Sequence, residues 1–68
     1  MPHAEPLKIL VVDDEPLARD RLRALLVDIA VQFPSVVAGE AGNGVAALEF
    51  LRDHPVDAVL ADIRMPRM

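Results

Sequence analysis

The run Ile9-Leu10-Val11-Val12 has no polar break and leads straight into Asp13-Asp14-Glu15-Pro16. Without polar alternation it reads as a strand covered on both faces, the pattern of a central strand in a parallel sheet. A sheet covered in this way confines the chain to α/β architectures. The acids then fall where the strand leaves the carboxyl edge, and in open α/β sheets ligands bind along that edge. A second run, Ala58-Val59-Leu60-Ala61, ends in Asp62 in the same manner. With the two strands as neighbours, Asp13, Asp14 and Asp62 converge on one spot.

The elements follow in a regular order. Residues 1–6 read as a frayed tail, and Leu7–Val12 as the first strand. Pro16 suits a first helical turn, so helix one starts near Glu15-Pro16. Ala18, Leu22, Leu25, Leu26 and Ile29 share one apolar stripe, with Arg19, Asp20, Arg21 and Arg23 on the solvated face. Phe33-Pro34 closes the helix, because a residue before proline avoids helical backbone. Val36–Glu40 is a second strand and Asn43 the cap of helix two, which turns Ala47, Leu48 and Leu51 inward and stops at Pro55. The third strand spans Val56 to Asp62. The result is βαβαβ, and the right-handed preference of parallel crossovers with helices on both faces gives strand order 2-1-3.

Size and composition narrow the function. A chain of 68 residues makes one small domain, burying only about 60% of its unfolded surface. It is 53% hydrophobic, which marks a folding chain, but Phe33 and Phe50 are its only aromatics, so the core is aliphatic. A net charge of −4 argues against gripping nucleic acid or an anionic membrane through this stretch. The absence of cysteine suits a reducing cytoplasm, no apolar run reaches membrane-span length, and Met1–Pro6 has no leader character.

Two carboxylates about 4 Å apart repel by roughly 4 kcal/mol at an effective dielectric of 20. Either one takes a proton or a hard cation sits between them. Oxygen donors without histidine or cysteine select magnesium over zinc or copper. Such an ion also offsets the charge of a phosphoryl group approaching a carboxylate, making Asp62 a candidate nucleophile for an aspartyl phosphate. The plain alternatives are that Asp13, Asp14 and Glu15 only cap helix one, and that Asp62 only forms a turn.

Taken together, Val11-Val12-Asp13-Asp14-Glu15, Ala41-Gly42-Asn43-Gly44 and Asp62-Ile63-Arg64-Met65-Pro66 resemble the receiver domain of bacterial two-component response regulators. The resemblance implies a flavodoxin-like doubly wound fold and a phosphoacceptor role for Asp62. It further implies magnesium held directly by Asp14, through water by Asp13, and by the backbone carbonyl of Arg64. A sensor histidine kinase would be the phosphoryl donor. Glu15-Pro16-Leu17-Ala18-Arg19 before Arg21-Leu22 is similar to the LytR/AlgR subgroup, whose members usually carry a C-terminal LytTR DNA-binding domain; contact with DNA would come only through such a domain, absent here.

A complete receiver has five strands, with a hydroxyl residue ending the fourth and a lysine ending the fifth. Residues 7–68 are therefore expected to be a truncated receiver that keeps the acid cluster without completing the switch. Its uncovered third strand should pair with another chain, giving a dimer or a strand-swapped assembly. Other functions weigh less. Gly42-Asn43-Gly44-Val45-Ala46-Ala47 matches a dinucleotide-binding fingerprint but follows the second strand and leaves Asp13-Asp14 unexplained. A magnesium-dependent phosphohydrolase usually carries a second acid two residues after its nucleophile, where this chain has Arg64. A pure interaction module would leave the acids as a solvated face. His3 and His54 have no partner at ligand spacing, and Met65 reads as packing or loop structure.

Overall fold

A computed structural model describes residues 5–61. In chain order it contains β1 (Leu7–Val12), α1 (Pro16–Asp28), β2 (Ser35–Ala41), α2 (Gly44–Asp53) and β3 (Ala58–Ala61). The three strands form one parallel sheet in the order β2-β1-β3, as expected. Glu5 and Pro6 precede β1 without regular structure.

The unbroken apolar run becomes the middle strand because it can bury side chains on both faces. Ile9, Leu10 and Val11 are buried, and alternation along β1 sends Leu10 to one face and Ile9 and Val11 to the other. Leu10 forms the core with Ala41 and Ala47, and Val12, Ala46, Phe50, Leu51 and Val56 pack around it. This is the face that α2 covers. On the other face Val11 pairs with Glu40, whose side chain meets Arg19 and Arg23 of α1. The helices therefore cover opposite faces.

The β1–β2 register slips once, between Ile9, which pairs with Val37, and Leu10, which pairs with Gly39. Ala38 is the extra residue, forming a bulge. Gly39 then lies under the ring of Phe50: a Cβ there would stand 2.5 Å from Phe50 Cε1. The glycine is needed for close approach between strand and helix, not for its backbone angles.

Several expectations need correction. Helix α1 ends at Asp28 instead of running to Phe33, and successive turns carry residues 29–33, closed by the Phe33 N–H donating to the Ile29 carbonyl at 2.8 Å. Val31 is exposed, so no burial holds that stretch helical ahead of Pro34. Of the expected stripe on α1, Ala18 is buried and Leu22, Leu26 and Ile29 are half-buried, but Leu25 is 48% exposed. A three-stranded sheet offers that stripe too little surface to close on. On α2, Ala47, Phe50 and Leu51 define the inward stripe, which leaves Leu48 69% exposed at its margin. Strand β2 extends one residue further at each end than expected, and β3 begins at Ala58 instead of Val56. Before β3 the Asp57 N–H donates to the Lys8 carbonyl and its carboxylate accepts the Lys8 N–H, both at 2.8 Å.

Candidate functional site

The carboxyl edge of the sheet is shaped first by the backbone after Val12. The Asp13 N–H donates to the Ala41 carbonyl at 3.0 Å, extending the β1–β2 ladder by one residue. Asp13 Oδ1 then accepts the Glu15 N–H at 2.9 Å, an aspartate turn that reverses the chain into α1. Glu15 is the N-cap residue with extended backbone, Pro16 occupies the first helical turn, and the Glu15 side chain makes no capping hydrogen bond. The Asp13 bond belongs to the turn before α1 and does not cap a first-turn N–H of the helix. Asp13 is 7% exposed, whereas Asp14 projects into solvent.

A second feature was not foreseen. Arg19, assigned to a solvated helix face, is half-buried and spans three elements. Its Nη1 donates to the Asp13 carbonyl at 2.7 Å, and its Nε donates to Glu40 Oε1 at 3.0 Å. Glu40 Oε2 accepts from Arg23 Nη1 at 2.7 Å, and the other end of that guanidinium pairs with Asp20. The same Nη1 of Arg19 lies 3.8 Å from where a Cβ on Gly42 would stand. The signal available in the sequence was an acid closing β2, Glu40, together with a long cation one turn into α1. A rigid guanidinium fork can serve two acceptors from that distance.

The N-terminus of α2 opens on the same edge. Asn43 caps it, as expected, with Oδ1 accepting the Ala46 N–H at 2.8 Å. That bond occupies a first-turn donor that a dinucleotide phosphate would use, and the fingerprint follows β2, an edge strand. At the other end of α2, His54 is the C-cap residue and its ring lies against Phe50 with centroids 4.6 Å apart.

The parallel register of β1 and β3 pairs Val12 with Ala61. Asp62 and Arg64 lie outside the described residues, as does Met65. Among the described residues no group of three acids or histidines stands close enough to hold a metal ion. Asp13 and Asp14 offer oxygen donors only, and magnesium needs one or two carboxylates with water or phosphate oxygens completing its shell. The donor chemistry fits that ion.

Residues 9–68 match the family model described as the response regulator receiver domain. The chain is 43% identical, over 98% of its own length and 30% of the other, to the probable transcriptional regulatory protein NarL of Mycobacterium tuberculosis. It is 42% identical to a protein-glutamate methylesterase/protein-glutamine glutaminase of Anaeromyxobacter dehalogenans, over all of this chain and 19% of that protein. With the transcriptional regulatory protein BtsR of Salmonella typhi it shares 42% identity, over 91% of this chain and 25% of the other. The chain thus spans less than a third of the length of each of these relatives. No solved structure matches it significantly.

Proposed function

The chain belongs to the response regulator receiver family, and from that premise we infer that it is the part of a receiver that takes a phosphoryl group onto Asp62. The observation that carries this reading is the register of the middle strand with β3. Val12, which precedes Asp13, pairs with Ala61, which precedes Asp62. In the proposed reaction an Asp62 carboxylate oxygen attacks the phosphorus of a phosphohistidine on a sensor kinase. A P–O bond forms, the P–N bond breaks, and the imidazole leaves with the electron pair. Asp14 directly, Asp13 through water and the Arg64 carbonyl would hold magnesium. When bound, magnesium offsets the negative charge that opposes an anion attacking an anion.

The role is that of a phosphoacceptor, not of a turnover enzyme. The relatives' names include both transcriptional regulators and a methylesterase, so the output belongs to whatever is joined to a receiver. Transcriptional control is the output proposed here, exerted through a DNA-binding part outside these residues and in the cytoplasm. The finer LytR/AlgR assignment rests on the start of α1 alone, Glu15–Arg19 before Arg21-Leu22, and none of the relatives named above carries that label.

Titration of the 68-residue chain with magnesium, followed by amide NMR, tests the reading. Saturable shifts at Asp13 and Asp14 are expected, and Asp14→Ala or Asp62→Ala should abolish them. Shifts that never saturate, or that survive both substitutions, would refute it. Phosphate-ester turnover under the same conditions would favour the phosphohydrolase alternative instead. We further propose that β3, an edge strand with half-exposed Val59, pairs with a second chain. Sedimentation should then show a concentration-dependent dimer, and a monomer at every concentration would remove that part.

A further inference from the structure

We propose that Arg19 is a positioning residue for the acidic turn, a role that rests on the magnesium reading above. One guanidinium grips the carboxyl ends of two strands together. Through Nη1 it holds the carbonyl of Asp13 at the end of β1, and through Nε it holds Glu40 near the end of β2. Glu40 is itself fixed from its other oxygen by Arg23. The Arg19 and Glu40 side chains are 22% and 28% exposed, and the bond from Arg19 to the Asp13 carbonyl is partly buried. Asp13 is thereby fixed at three backbone or side-chain points: its N–H on Ala41, its carbonyl on Arg19 and its Oδ1 on Glu15. The direction in which Asp13 and Asp14 leave the strand is set before any ion arrives.

This role has a sign that simple electrostatics does not share. Arg19 is a cation beside a proposed cation site, so if charge alone mattered, its removal would tighten magnesium binding. If Arg19 acts by positioning, its removal weakens binding, as loss of a group that orients metal ligands does, by about tenfold or more. Arg19→Ala is therefore compared with the unaltered chain by magnesium titration, with Arg19→Lys as a second variant. Lysine keeps the charge but presents one compact donor group in place of the fork. Both variants should bind magnesium about tenfold more weakly or worse, and both should speed amide exchange at Glu15 while Leu10 and Val11 keep their protection. Equal or tighter binding in Arg19→Ala would overturn the proposal. Should Arg19→Ala fail to fold, wild-type affinity in Arg19→Lys would do so. A chain that takes no magnesium at all defeats the metal reading. In that case Glu15 exchange, measured without metal, still decides the positioning role, and unchanged exchange in Arg19→Lys defeats it.

Discussion

Replacing Gly39 with alanine isolates the contact that seats α2 on the sheet. The backbone there accepts an alanine, since no glycine among the described residues has positive φ. Restricting the unfolded chain would on its own stabilise the fold by about 0.4–1 kcal/mol. Against this, the new methyl would stand 2.5 and 2.6 Å from Phe50 Cε1 and Cζ and 3.3 Å from Cδ1. Carbon atoms rest about 3.5–4.0 Å apart, so the ring must retreat by about 1 Å. The ring is rigid, half-buried beside Leu10, Ala41 and Ala47, and lies against the His54 imidazole. Overpacking of this kind costs about 1–3 kcal/mol; the middle of each range leaves a net loss of about 1.3 kcal/mol. With a urea slope of about 1 kcal/mol per molar for a small chain, the midpoint should fall by about 1.3 M. Far-ultraviolet circular dichroism during urea unfolding reads that shift. In a Phe50→Leu background most of the penalty should vanish, because the clashing atoms are gone. A Gly39→Ala chain as stable as the original, or an equal loss in both backgrounds, would refute the packing argument.

Two further substitutions probe the rest of the frame. Asn43→Ala removes the bond to the Ala46 N–H and should cost about 1 kcal/mol, read as a lower thermal midpoint with fraying confined to the first turn of α2. Leu10→Ala empties a fully buried position at the centre of the α2 face. A loss of about 2–5 kcal/mol should leave little folded chain, seen as collapsed amide dispersion.

The frame was readable because β1 carries its own signature. Ile9–Val12 reads as a middle strand, and Pro16, Asn43 and Pro55 mark where the helices start or stop, whereas Pro34 lies well beyond the end of α1. What stayed hidden depends on tertiary shape. The exposure of Leu25 follows from the width of the sheet, which no periodicity encodes. The bulge at Ala38 follows from the partner strand. Arg19 looked like one of several surface cations until the strand ends it bridges were in place. At the acidic edge, the aspartate turn at Asp13 follows directly from its position between a strand and a proline-led helix.

The two helices are attached by partly different forces. Helix α2 is seated by Ala47, Phe50 and Leu51 on an apolar face, whereas α1 adds to Ala18 and the half-buried Leu22 and Leu26 the Arg19–Glu40–Arg23 bridge. Added electrolyte shortens the reach of that bridge, with a Debye length of about 3 Å at 1 M against 10 Å at 0.1 M. Strongly excluded salts such as sulfate reinforce apolar contacts. A brine of ammonium sulfate should thus tighten α2 outright, while on α1 the gain at the apolar stripe is set against the weakened bridge, and the acidic edge would follow α1.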